Sequence, residues 1–230
     1  MPVVPVRTHA WDLDPEAARA LQGELAAGVI REDRPPEGAA AGGEVRLVAG
    51  VDIGFEQGGA VTRAAVAVVA VADLTLRDHA IARRPTSFPY IPGLLSLREI
   101  PAALDALAAL GSTPDLLMVD GQGIAHPRRF GIASHLGYLC DMPSVGAAKS
   151  ILVGRHEEPE QRRGAWSPLR HRGEVIGAAL RTRVGVRPIY VSIGHRIGLE
   201  RANELTMRCA GRFRLPEPTR QAHRLASSRR

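Results

Sequence analysis

PDLLMVDGQGIAHPRR, residues Pro114 to Arg129, is the stretch that decides the fold. Leu116 to Val119 form an apolar run into Asp120, bounded by Pro114 and Gly121. An unbroken apolar run of that length, closed by turn residues, reads as a strand buried on both faces. Such strands carry their chemistry at the carboxyl end, where the chain leaves the sheet, and Asp120 stands there. Gly121 and Gly123 would let backbone N–H groups come close to an anion. His126, Arg128 and Arg129 would add positive charge. A carboxylate for a metal, followed by donors for phosphate, is a small kit for phosphodiester chemistry.

Working outward, VRLVAGVDIGF (45–55) is a strand that delivers Asp52. VTRAAVAVVAVA (61–72) and TLRDHAIARR (75–84) follow at turn-sized separations, which predicts an antiparallel meander. PTSFPYIPG (85–93) holds three prolines and cannot be regular structure. The next helix has Pro101 in its first turns, Leu104, Leu107 and Leu110 on one face, and Gly111 as its stop. Beyond Asp120 the pattern predicts a helix over about 130–140 and a short strand, MPSVGAAK. A polar loop over 154–173 leads to strands EVIGAALRTR and RPIYVSIGH, then a helix over 198–211 and a proline-broken basic tail. At the amino end, Asp14 is a good N-cap and Pro15 a good first residue for a helix over 15–31, with Ala18, Leu21, Leu25 and Val29 on its apolar face. Residues 1–13 lack apolar periodicity and are expected to be dispensable. The Pro-, Gly- and Ala-rich stretch 33–44 reads as a flexible linker.

Three meander strands, a helix, a strand, a helix and a strand give an α/β fold. The order is that of a ribonuclease H-like core, a mixed five-stranded sheet flanked by helices, with extra C-terminal strands and a helix. The chain divides into an N-terminal extension, helix and linker over 1–44, packed on the core, and a ribonuclease H-like domain over 45–230.

The 230 residues are 45% hydrophobic but only 4% aromatic, so aliphatic side chains must build the core. A formal charge of +6 favours an anionic partner such as nucleic acid, though a solvated arginine-rich surface gives the same count. Cys140 and Cys209 stand in no CxxC pair, which argues against a zinc site or a disulfide framework and for reduced thiols in the cytoplasm. No apolar run is long enough to span a membrane. No G-x-S-x-G elbow occurs, and the stretch before Lys149 lacks the glycines of a P-loop.

Asp52 within an apolar strand is costly to bury unless it is paired or bound to metal, or unless it caps a turn. Asp120 has the same logic, and oxygen ligands suit Mg²⁺ or Mn²⁺. Glu99 reads as an ordinary helix glutamate or as the third acid of a cluster. Lys149 is the chain's only lysine and ends a strand, where it could meet a scissile phosphate. His126 and His223, each taken alone, read as surface or capping residues.

The motifs VDIGFEQGG, VTRA, PYIPGLLSLRE, VDGQGIAHPRR, SVGAAKS, GHR and RLPEPTR follow one another in that order. Together they resemble the endonuclease V family, deoxyinosine-specific repair nucleases with a ribonuclease H-like fold, over about residues 15–225. The resemblance implies Asp52, Glu99 and Asp120 as metal-binding acids, with Lys149, His126 and His223 beside them at the active site. It implies Tyr90 as a wedge that separates the strands at the lesion, in a substrate-binding loop with Pro89, Ile91 and Pro92. Gly121, Gly123, Arg128 and Arg129 fall in the implied substrate-binding region. The implied reaction is a Mg²⁺-dependent nick (Mn²⁺ may substitute) at the second phosphodiester bond 3′ to a deaminated base. The implied partner is DNA with deaminated bases, or inosine RNA as in some members, and the chain is expected to act as a monomer. Two rivals remain: another ribonuclease H-like nuclease, which needs no PYIP wedge, and a nucleic-acid-binding module without chemistry, against which the three acids argue.

Overall fold

The computed structural model describes residues 3–34 and 44–227. Most of the expected linker, 35–43, therefore lies outside the described residues. The chain folds around one eight-stranded sheet in the order β3-β2-β1-β4-β5-β8-β7-β6. The meander is β1 (Leu47–Glu56), β2 (Val61–Ala70) and β3 (Leu76–Pro85), with both pairs antiparallel. β4 (Leu116–Val119) and β5 (Ser144–Ala148) add in parallel beside β1, completing the five-stranded core. β8 (Ile189–His195), β7 (Glu174–Leu180) and β6 (Trp166–His171) continue the same sheet antiparallel beyond β5.

Helices cover both faces. On one, α2 (Leu95–Ala108) and α3 (Ile132–Cys140) pack Ile100, Leu107 and Leu136 onto Val51, Val66, Leu117 and Val119. On the other, α4 (Leu199–Arg208) packs Leu205 with Met118, Val145 and Val191. No helix among the described residues is long and apolar enough to cross a membrane.

Four expectations change. α2 begins at Leu95, so Pro101 falls inside the helix and Glu99 projects from its second turn. The expected loop over 154–173 contains β6, an edge strand, where Pro168 costs little because the outer side needs no N–H donor. The proline-broken tail contains α5 (Glu217–Ser227): Pro218 sits in its first turn, where a missing N–H has no partner to lose. α1 (Pro15–Ala26) is capped by Asp14 as expected, but it stops short of 31, and its fully buried residues are Ala18 and Gln22.

Residues 3–13 are not dispensable appendages. Val3 is buried in the core cluster and Trp11 packs against it. Arg7 donates to Tyr138 O at 2.6 Å and pairs with Asp141 at 3.0 Å, and Val6 N donates to Leu139 O. Deleting 1–13 should lower stability by about 3 kcal/mol, the scale of losing one buried apolar side chain and part of another. A thermal melt of the truncated chain equal to that of the full chain would contradict this.

Candidate active site

Val51 of β1 pairs with Val119 of β4 in parallel register, so the next residues, Asp52 and Asp120, lie side by side where β4 ends. α5 lies directly across β1. A Cβ on Gly50 would fall 2.0 Å from Pro218 O, so only glycine admits the helix at this distance. Asp52 is two residues on, on the same face of the strand, and looks toward α5. There His223 Nδ1 stands 2.9 Å from Asp52 Oδ2. Metal-binding atoms of Asp52, Asp120 and His223 all lie within 4.8 Å of one another. Lys149, just past β5, brings Nζ to 2.5 Å from Asp120 Oδ2.

Asp52 is 8% exposed. Burial, and next the neighbouring Asp120, raise its pKa, while the His223 hydrogen bond and the Lys149 charge oppose the rise. Glu99 is pushed up to about 8, by burial first and by Asp52 next, with Arg98 opposing. Its carboxylate makes no hydrogen bond or ion pair among the described residues. Two carboxylates and one imidazole, those of Asp52, Asp120 and His223, form a donor set that fits a hard divalent cation, and Glu99, expected as a third metal-binding acid, is not part of that group.

These residues line or flank a cleft of about 370 Å³, walled by Gln22, Ser96, Glu99, Asp120, His126 and Lys149, with Tyr90 on its rim. Tyr90 is 69% exposed, and Pro89 and Pro92 are exposed beside it. Tyr90 is therefore no part of the core. Phe88 anchors the loop instead: it is 4% exposed and buried with Ala18, Leu94 and Leu97, and Ile91 packs against that cluster.

The positive charges expected after Asp120 are otherwise engaged. His126 is 3% exposed, and its pKa falls to about 4 through burial first and the nearby Arg128 next, so it is neutral at pH 7 and adds no charge. The Arg128 N–H donates to its Nδ1 at 3.3 Å, which leaves Nε2–H to donate to Gly93 O at 3.0 Å. Arg128 donates from Nη2 to Gly93 O at 2.6 Å. Arg129 pairs with Glu174 at 2.6 Å and donates to His126 O at 2.9 Å. Nor do the glycines offer free donors. Gly121 N donates to Val119 O and Gly123 N to Ser192 Oγ, each at 2.8 Å. Gly123 is glycine because a Cβ would fall 1.9 Å from Ile193 O.

The sequence reading passed over Gln22 and Ser96. The one available signal was helical spacing: Gln22 stands one turn after Ala18, on the buried stripe of α1. His223, placed at the active site by the resemblance alone, stands there on a helix that the proline-rich tail had concealed.

A family model for Endonuclease V matches residues 24–224, with Gln22 just ahead of the match. A Nostoc sp. protein named Endonuclease V is 56% identical over 221 residues, covering 96% of this chain and 97% of the relative. A solved Endonuclease V from Streptomyces avermitilis is 42% identical, with a TM-score of 0.87 over 98% of this chain and 96% of that one. A Ciona intestinalis Endonuclease V, crystallised with DNA containing an inosine followed by a ribo-adenosine, is 25% identical, with a TM-score of 0.76 over 93% of this chain and 97% of that one. At that identity over almost its whole length, the chain belongs to the endonuclease V family and is an endonuclease with a ribonuclease H-like fold.

Proposed function

We propose that this endonuclease nicks DNA at the second phosphodiester bond 3′ to deoxyinosine, with inosine-containing RNA as a second substrate. The observation that carries the reading is an exposed tyrosine on a cleft lined by two mutually repelling acids, Glu99 and Asp120. The cleft is of a size that small ligands occupy, which suits a base taken out of its stack. Tyr90 would stack where the base had been. Asp52, Asp120 and His223 would hold the cation, with Glu99 beside them. When bound, a divalent cation supplies positive charge to the phosphoryl oxygens and acidifies a water. Mg²⁺, with Mn²⁺ as a substitute, is the choice that oxygen-rich ligation supports. Lys149 carries positive charge at Asp120, where it can offset charge that develops on the phosphate. His126 stays neutral and holds Gly93 in the loop that carries Tyr90.

The same reading divides the chain at about residue 44, into an amino-terminal extension and the nuclease domain. Two free, buried cysteines, each pushed up to about 12 by burial, suit a reducing cytoplasm. The chain acts as a monomer, each copy holding a complete set of site residues. The test is nicking of single-inosine DNA and RNA beside unmodified twins. Inosine-dependent cutting supports the proposal, and equal cutting of the twins contradicts it.

Cation binding should be linked to pH through Glu99. A carboxyl at about 8 is mostly protonated at pH 7 and must ionise to neutralise a cation. Apparent affinity should therefore rise with pH through about 8 and level off above it. Calorimetry in buffers of different ionisation enthalpy should record protons released on Mg²⁺ binding at pH 7, and Glu99→Gln should reduce that release. A wild-type affinity flat from pH 6 to pH 9 would contradict the assignment.

A further inference from the structure

Tyr90 makes no hydrogen bond among the described residues, so the backbone of its loop sets its position. One end of that loop is fixed by Phe88 in the core. The other end is Gly93, at φ +79, where a Cβ would fall 3.1 Å from Arg128 Nη2. The Arg128 guanidinium lies against this glycine and donates to its carbonyl at 2.6 Å. A guanidinium is a rigid planar fork, so fixing one N–H aims the others. The fixed one is Nε–H, which donates to Gln22 Oε1 at 2.7 Å. Gln22 is 1% exposed and stands on α1, and its own amide donates to Ser96 Oγ at 3.4 Å at the start of α2.

We propose that Gln22 is a positioning residue for strand separation: through Arg128 it fixes the Gly93 carbonyl, and so the loop that presents Tyr90 at the cleft. The amino-terminal helix thereby takes part in lesion recognition. The inference rests on the wedge reading of Tyr90. Removing the Gln22 amide leaves a partly buried guanidinium N–H without its acceptor. Arg128 is then free to turn toward other partners, which leaves the Gly93 carbonyl only its His126 hydrogen bond and loosens the loop. The damage falls on substrates whose strands must be parted and spares the chemistry at the acids.

The experiment compares Gln22→Leu, Gln22→Glu and Tyr90→Ala on a deoxyinosine duplex and on the same strand alone. A 2-aminopurine beside the lesion reports unstacking. Gln22→Leu should raise KM on the duplex about tenfold, the scale of a lost hydrogen bond to a charged group, and reduce the 2-aminopurine signal. KM on the single strand should rise clearly less, so the ratio of duplex to single-strand KM is the readout, and any fall in melting temperature should not scale with that ratio. Gln22→Glu keeps an acceptor for Arg128 and should keep the duplex KM. In a Tyr90→Ala background, Gln22→Leu should add no further loss. If Gln22→Leu does not fold, Arg128→Lys, which loses the fork, should show the same duplex-selective defect. A normal duplex KM in Gln22→Leu beside a defective Tyr90→Ala overturns this inference alone, as does equal damage on both substrates with a lowered melting temperature. A normal Tyr90→Ala overturns the wedge reading, and this inference with it.

Discussion

Asp52→Ala and Asp120→Ala should each lose nicking by about a thousandfold or more, at least the scale set by removing one group that stabilises transition-state charge. Both residues converge on the same cluster as His223, and removing either acid leaves the site one anionic ligand short. Their effects on stability should differ in a way the electrostatics dictate. Asp52 is a buried acid whose charged form is disfavoured by burial and by Asp120. Asp52→Asn removes that strain, so the metal-free variant should melt no lower than wild type. Asp120 pairs with Lys149, which is partly exposed, so losing that partner should cost only about 1 kcal/mol or less. An inactive variant that has also unfolded would show a structural defect. Inactivity at an unchanged melting temperature is what loss of a metal ligand requires, and wild-type turnover in Mg²⁺ would rule the ligand role out.

Tyr90→Ala should have the second-largest effect, confined to duplex substrate. At 69% exposure the ring contributes little to folding, so the melting temperature should hold. Stacking a base on an aromatic ring is worth about 1–3 kcal/mol, so duplex affinity should fall about ten- to a hundredfold. The loss should shrink on single-stranded substrate, where less stacking needs replacing. Equal losses on both substrates would show that Tyr90 contacts the strand without parting it.

The sequence made the sheet core readable because β1, β2 and β4 carry unbroken apolar runs and the turns of the meander are short. β1 to β5 need no tertiary context to be recognised, and Asp52 and Asp120 fall at the strand positions where buried charge calls for a partner. β6 escaped because an edge strand tolerates Pro168 and half-polar alternation. α5 escaped because prolines at a helix start look like prolines that break one, so His223 was legible only through the family resemblance. Residues 3–13 carry no periodicity because neither a helix nor a sheet holds them. Their partners, Leu139, Tyr138 and Asp141, lie more than a hundred residues away. The arginine pair misled for the same reason: Arg128 and Arg129 read as free charge until Gln22, Gly93 and Glu174 are seen around them.

The central claim is that this acid cluster cuts DNA beside a deaminated base. Mapping the nick on a duplex with one deoxyinosine, with Mg²⁺ and with chelator, tests it most directly. The expected result is a single cut at the second phosphodiester bond 3′ to the deoxyinosine, present with Mg²⁺ and absent with chelator and on the unmodified duplex. Cutting at scattered positions, or at equal rates on the unmodified duplex, would contradict it.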